Sequence, residues 1–447
     1  MPKQVNTPTA NVRLLAQRIL ARCEQDRVYS NLVLDTAIRR HTLSEPDRAL
    51  LTALVYGVLE NKLLLDYLIS RLTDRPLDEL DTEVVLLLRL GLYQLRLMDR
   101  IPDHAALYET VALAPRRSRG FVNALLRRYT REGASIELPD REREPIRALS
   151  VRYSFPEPLC ERFVASFGVA RTERIFESAN QTPPLTLRVN TRKITPDALR
   201  DKLTAAGYTV LPALHAPHAL RLPGGNPTSL PGFAEGEFFV QDEASQLCVE
   251  AVGIPQDTDR PLFVLDCCAC PGSKSFGMAI ALGQNGQVTS CDLHQNKLSL
   301  IEKGATRLGL DNITTLARDA RDYNEAWDSA ADFVLCDVPC SGFGVLAKKT
   351  EIRYKDVSAL APLPDIQLAI LENAARYVRP GGVLVYSSCT VFSEENEGNV
   401  ARFLSRHSEF RPTDFTVGDL RSCDGRLLLL PDEHGTDGFF MAKFTKE

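Results

Sequence analysis

The chain has 447 residues, 44% hydrophobic and 25% charged, and 53 Lys and Arg against 58 Asp and Glu give a formal net charge of −5. That length exceeds what one hydrophobic core organises and points to two or three domains; the composition is that of a soluble globular protein, not of a disordered or collagenous one. The negative balance argues against a molecule coated in positive potential, and the Arg and Gln among the first twenty residues argue against a secretion signal.

Up to about residue 133, apolar residues recur every three or four positions in LLAQRIL, NLVLDTAI, ALLTALVYGVLENKLLLDYLI and FVNALLRR, which predicts an all-α domain. Ser44, three residues before Asp47 and with Pro46 in the first turn, resembles a capping box that opens one of these helices. VVLLLRLGLYQLRLM reaches membrane-like hydrophobicity, but Arg89 and Arg96 stand in it at helical spacing. An amphipathic helix is expected there, and no transmembrane span. Charge is unevenly spread: residues 1–150 hold 23 Lys and Arg against 20 Asp and Glu, the remainder 30 against 38. Within the first segment, Arg116, Arg117, Arg119, Arg127, Arg128 and Arg131 follow one another with no acid between them. Such a run suits RNA phosphates, and a solvated helix face would give the same pattern.

The charged, Pro-bearing stretch LPDREREPIRALS is expected to link domains. A helical stretch at 157–180, the alternating LTLRVN at 185–190, a helix at 195–207 and a Pro/Gly-rich loop at 223–232 suggest a small α+β module. From Phe238 the grammar becomes strand, loop, helix, with PLFVLDC, QVTSCDL, NITTLARD, DFVLCDV and GVLVYSS as strands. This predicts an α/β fold, a doubly wound and mostly parallel sheet with helices on both faces. The expected division is 1–138 all-α, 150–235 α+β and 236–447 α/β.

In such a sheet a ligand lies at the carboxyl ends of the strands, where the chemically interesting residues fall. The first strand runs into Cys268-Ala269-Cys270-Pro271-Gly272-Ser273-Lys274, small residues that let backbone approach an anionic group at a helix start; a tight turn without ligand would look similar. Asp292 ends the second strand, where a carboxylate can accept from ribose hydroxyls, and Asp319 follows the third, where it could hold an adenine amino group. Asp337-Val338-Pro339-Cys340 and Ser388-Cys389 close the fourth and fifth. Two thiols and a carboxylate thus converge. A thiolate adding to carbon 6 of cytosine makes carbon 5 nucleophilic, and such a thiolate needs a nearby cation that the sequence does not identify. Buried structural cysteines are the alternative, most of all for Cys336 and Cys248. The eleven cysteines have no paired CxxC or His partners, so reduced thiols and no metal are expected.

With these motifs the chain resembles the RNA 5-cytosine methyltransferases, and within them the bacterial enzymes of small-subunit ribosomal RNA. FVNALLRR resembles the RNA-binding domain shared with the antitermination factor NusB, VQDEASQL the entry to the catalytic domain and DGFFMAKF the terminal strand. The resemblance implies a Rossmann-like methyltransferase domain behind a NusB-like domain and an RNA-binding α+β module. Cys268 to Lys274, Asp292, Asp319 and Asp337 would bind S-adenosylmethionine. Cys389 would be the nucleophile, Cys340 would promote release of the product, and Asp337 would contact the cytosine edge. The implied partner is 16S ribosomal RNA, naked or in an early assembly intermediate, in the cytoplasm, with no membrane and no obligatory protein partner. The family loop CAAPGGKT is altered at Cys270, Ser273 and Ser275, Ser273 putting a side chain where backbone approaches the ligand. The competing readings are a 5-cytosine methyltransferase of transfer RNA or large-subunit ribosomal RNA, which shares the catalytic motifs, a DNA-type mechanism with Cys340 attacking, and a degenerate enzyme that only binds RNA.

Overall fold

The computed structural model describes residues 11–26, 30–255 and 258–447. Residues 1–10 of the segment read for a secretion signal lie outside them. Contacts divide the chain into two compact units, Met1–Asn180 with Lys349–Lys355, and Gln181–Lys348 with Asp356–Glu447.

The first unit is helical: α1 (Val12–Asp26), α2 (Ser30–Arg40), α3 (Glu45–Glu60), α4 (Lys62–Leu72), α5 (Thr82–Leu97), α6 (Asp103–Leu113), α7 (Arg119–Glu132), α8 (Pro145–Tyr153) and α9 (Glu157–Ala179). Ser44 caps α3 as expected, its Oγ accepting from the Asp47 N–H at 3.2 Å while its hydroxyl donates to the Asp47 carboxylate at 2.7 Å. Helix α5 packs against α1, α3, α4, α6 and α7. It departs from the expected amphipathic helix, because Arg89 is only 7% exposed. Its guanidinium forks onto Asp66 at 2.6 and 2.9 Å and also reaches Glu24, so two carboxylates from neighbouring helices let a cation sit inside the core. No helix of the described residues is long and apolar enough to cross a membrane.

The stretch 138–150 is not an open linker. Leu138 packs on the helical core, the Tyr67 hydroxyl donates to the Glu137 carbonyl at 2.8 Å, and α8 buries Ala148, Leu149 and Val151. Interleaved charges hid that apolar face. Helix α9 breaks at Gly168, whose φ of 73° would strain any side chain.

The second unit begins with β1 (Leu185–Val189), α10 (Pro196–Ala205), β2 (Ala219–Leu222) and β3 (Phe238–Val240), an antiparallel sheet in the order β2-β1-β3. The alternation of β1 does not mark a wet face: Arg188 is 4% exposed and donates to Gln241 at 3.2 Å. Then come α11 (Glu243–Val252), β4 (Leu262–Asp266), α12 (Ser273–Leu282), β5 (Gly286–Asp292), α13 (Gln295–Leu308), β6 (Ile313–Ala317), β7 (Ala331–Asp337), α14 (Leu363–Tyr377) and β8 (Val378–Ser388). The chain closes with α15 (Glu397–Arg406), β9 (Phe410–Pro412), β10 (Thr416–Val417), β11 (Leu420–Arg421), β12 (Arg426–Leu429), α16 (Pro431–His434) and β13 (Phe439–Lys446). The large sheet runs β12-β13-β8-β7-β4-β5-β6, with β9 on β13. The five adjacent strands β8-β7-β4-β5-β6, from the middle of the sheet to its β6 edge, are parallel and β13 is antiparallel, which is the doubly wound sheet expected from sequence. The chain steps outward from β4 to β6 and returns on the other side of β4 as β7. That reversal opens a crevice above the carboxyl ends of β4 and β7.

Candidate active site

Strand β4 delivers Asp266 and the loop Cys267–Gly272 to this crevice. Gly272 has φ 107°, and a Cβ there would meet the Phe276 ring at 2.9 Å and Ile301 at 3.1 Å, so glycine is required. Ser273 is not among the residues with positive φ and opens α12, so the serine costs no backbone strain. The Ser275 hydroxyl donates to Asp266 at 2.6 Å and accepts from Ser290 at 2.8 Å.

Asp266 is fully buried, and its Oδ1 has no side-chain partner among the described residues. Burial, helped by the charge of Asp337 and opposed by the Ser275 bond, pushes its carboxyl up to about 7. A folded-state value above the unfolded one means that the stability this group contributes is full below pH ~4 and is lost as pH rises through ~7. Relative to Asp266→Asn, the wild type should lose up to about 4 kcal/mol between those limits. Urea melts of both proteins at a series of pH values measure the difference. Parallel curves would show that Asp266 titrates as an ordinary carboxylate.

Asp292 ends β5 and turns its carboxylate to the loop, accepting from the Cys270 N–H at 3.3 Å and the His294 N–H at 2.9 Å. Asp319, just beyond β6, is clasped by the Arg321 guanidinium at 2.6 to 3.2 Å, which holds it below the usual carboxylate range. Both lie on the β5–β6 side of the loop, and the thiols on the β7–β8 side.

Lys274 departs from its loop neighbours. It is 9% exposed, its Nζ is 2.7 Å from the Asp337 carboxylate and 5.0 Å above the Phe439 ring. Burial works against its charge, but Asp337 and the fields of Cys248 and Cys389 raise it above its ordinary value. Its ammonium and the Cys389 sulfur are thus electrostatically linked. Asp337 also accepts from the Ser387 hydroxyl at 2.9 Å.

Beside this pair, Cys340 Sγ and Cys389 Sγ lie 3.0 Å apart, both half-buried. The contact with Cys389, then burial, then the charges of Glu395 and Asp337 push the Cys340 thiol well up, so it keeps its proton. The other thiols of the loop are also held in the protonated form. Contact with Cys336 and burial raise Cys267, burial raises Cys268, and burial with Asp292 takes Cys270 to about 12.

The six arginines belong to the first unit, and all are exposed. Helix α7 turns Val122, Leu125, Leu126 and Tyr129 inward and Arg127, Arg128 and Arg131 outward. Acids from outside the run meet three of them, Asp81 with Arg117 at 3.0 Å and Glu132 with Arg128 at 2.8 Å and Arg131 at 3.9 Å. Arg119 donates to the Ala112 and Ala114 carbonyls and Arg127 to Asn123.

Residues 252–445 match the family described as 16S rRNA methyltransferase RsmB/F, residues 10–131 the NusB family, and residues 155–229 the ferredoxin-like domain of RsmF/B-like methyltransferases. A Bacillus subtilis strain 168 protein named probable ribosomal RNA small subunit methyltransferase B is 38% identical, over 98% of this chain and 99% of that one. The Klebsiella pneumoniae strain 342 protein named ribosomal RNA small subunit methyltransferase B is 33% identical, over 97% of each. The solved structure of PH0851 aligns with a TM-score of 0.80 at 26% identity, over 99% of this chain and 100% of that one.

Proposed function

Because the chain belongs to the 16S rRNA methyltransferase RsmB/F family, we propose that it methylates carbon 5 of a cytosine in 16S ribosomal RNA, using S-adenosylmethionine and a covalent adduct through Cys389. The observation that carries this reading is the pairing of Cys340 and Cys389 at 3.0 Å, beside the Lys274–Asp337 pair and at the carboxyl ends of adjacent strands.

The crevice fits the cofactor. Asp292 stands at the end of β5 with a half-buried carboxylate able to accept from ribose hydroxyls, and Gly272, where a Cβ would run into Phe276 and Ile301, lets the loop backbone turn tightly beside it. Cys268 to Ser273, Asp292 and Asp319 would hold it, the last giving up part of its grip on Arg321, while Lys274, paired with Asp337, serves the thiol. When bound, S-adenosylmethionine supplies an electrophilic methyl group on a sulfonium.

Lys274 favours the charged form of Cys389, since the attraction between ammonium and thiolate acts on both partners. The Cys389 thiolate adds to carbon 6 of the cytosine, forming a C–S bond and pushing electron density onto carbon 5. Asp337, fixed by Lys274 and Ser387, faces the polar edge of the base. Once carbon 5 carries its methyl group, its proton must leave as the C–S bond breaks. Cys389 is by then a thioether, so the foremost cause holding the Cys340 proton is gone. Cys340 then gives its proton to water and, as a thiolate, accepts the one on carbon 5; the C–H electron pair restores the double bond between carbons 5 and 6, and the C–S pair leaves on Cys389 as a thiolate.

The α+β module and the outer face of α7 carry the RNA, with Arg116, Arg117, Arg119, Arg127, Arg128 and Arg131 on phosphates. Incubating the protein with unmethylated, protein-free 16S ribosomal RNA and methyl-labelled S-adenosylmethionine should give 5-methylcytosine at a discrete position. Reversing Arg116, Arg127 and Arg131 to Glu should weaken RNA binding and lower its salt slope by roughly one unit per lost contact. Label on transfer RNA alone, or on another atom of the base, would overturn the reading.

A further inference from the structure

Two adjacent residues in the turn after Cys389 lie outside the chemistry above and have no place in the sequence motifs. Glu395 is 2% and Asn396 0% exposed, and each grips the loop of a different cysteine. The Glu395 Oε2 accepts from the Ser341 N–H at 2.9 Å and from Gln367 Nε2 at 2.8 Å, and the same Gln367 nitrogen donates to the Pro339 carbonyl at 3.0 Å. The peptide groups on both sides of Cys340 are therefore held. The Asn396 Oδ1 accepts from the Ser388 hydroxyl at 2.6 Å and its Nδ2 donates to the Thr390 carbonyl at 3.0 Å, which holds the residues on either side of Cys389, one by its side chain and the other by its carbonyl. A bond from the Ser341 hydroxyl to Thr390 Oγ1 at 2.8 Å joins the two loops.

We propose that Glu395 and Asn396 are positioning residues that register the two thiols separately, Asn396 setting Cys389 for attack and Glu395 setting Cys340 for release. The inference rests on the reading that Cys389 attacks and Cys340 releases. It follows from the buried geometry: a carboxylate oxygen that collects two donors around Cys340 fixes that loop's backbone, and an amide that both accepts and donates around Cys389 fixes the other. Losing one clasp lets one sulfur drift while the other stays, and a misplacement of ~1 Å costs on the order of a hundredfold in the step that sulfur serves.

The test uses the full chain with protein-free 16S ribosomal RNA and S-adenosylmethionine, reading covalent complex on denaturing gels against released methylated RNA. Glu395→Ala should form the adduct at wild-type rate but release product about a hundredfold more slowly, so protein attached to RNA accumulates. Glu395→Gln, whose amide oxygen can still collect both donors, should restore release. Asn396→Ala should instead slow adduct formation about a hundredfold with no accumulation. A merely structural role would lower both steps together and would not separate the two neighbours. If Glu395→Ala fails to fold, Gln367→Met keeps the volume, removes the donor to Pro339 and Glu395, and should show the same accumulation. Equal loss of both steps, failure of Gln to rescue, or no accumulation in either Cys340-side variant overturns the inference. Cys340→Ala and Cys389→Ala run alongside: if they lack the trapped and absent adducts, the underlying reading has failed, and if they show them, only the positioning inference has.

Discussion

Cys389→Ala should lose methyl transfer by a factor on the order of 10⁴ or more and should form no covalent complex with RNA, because without its nucleophile the pyrimidine ring is never activated. Cys340→Ala should behave in the opposite way. It still adds to carbon 6 and still receives the methyl group, but the proton on carbon 5 has no acceptor, so the protein stays attached to the RNA. The 3.0 Å separation of the sulfurs makes this comparison demanding, since either thiol is near enough to substitute for the other. The target base must also leave its stack, at a cost of a few kcal/mol that falls on both variants alike, so both are to be compared on the same unstructured RNA. A denaturing gel decides the outcome. An adduct trapped in Cys389→Ala and absent from Cys340→Ala would make Cys340 the nucleophile, as in the DNA-type mechanism.

The strands were legible because a parallel sheet covered on both faces favours apolar runs, and four of the five parallel strands, β4, β5, β7 and β8, end in a polar residue, Asp266, Asp292, Asp337 and Ser388. Parallel order places those ends on one rim, so the candidate site came with the fold. What stayed hidden depends on pairing across the chain. Arg89 looks like a solvent-facing break in an apolar helix until Asp66 and Glu24 arrive from other helices to neutralise it. The face of α8 is masked by Arg and Glu on either side of its three buried apolar residues. Glu395 and Asn396 read as an acidic turn, because nothing local shows that their polar atoms point inward at Ser341, Gln367, Ser388 and Thr390. A buried polar network has no period to betray it.

Lys274 is the sharpest case, since the motif that placed it among cofactor contacts was silent about its direction. Lys274→Met keeps the length of the side chain and removes the ammonium, leaving the Asp337 carboxylate, 27% exposed, with the Ser387 hydroxyl as its remaining side-chain donor among the described residues. Breaking one side of such a pair should cost about 3 kcal/mol of stability, near the low end for buried pairs because Asp337 keeps some contact with water. Adding Asp337→Asn removes the stranded charge and should recover most of that loss. Activity should not follow. Without the ammonium, the thiolate of Cys389 loses a favourable charge, and adduct formation should fall by roughly 10² to 10³ in both variants and set in at higher pH than in the wild type. Calorimetry with S-adenosylhomocysteine separates the possibilities. Affinity within a few-fold of wild type, together with a slow and alkaline-shifted adduct, places Lys274 with the nucleophile. Wild-type adduct kinetics with a large loss of affinity would return it to the cofactor loop and leave Cys389 to be activated by another group.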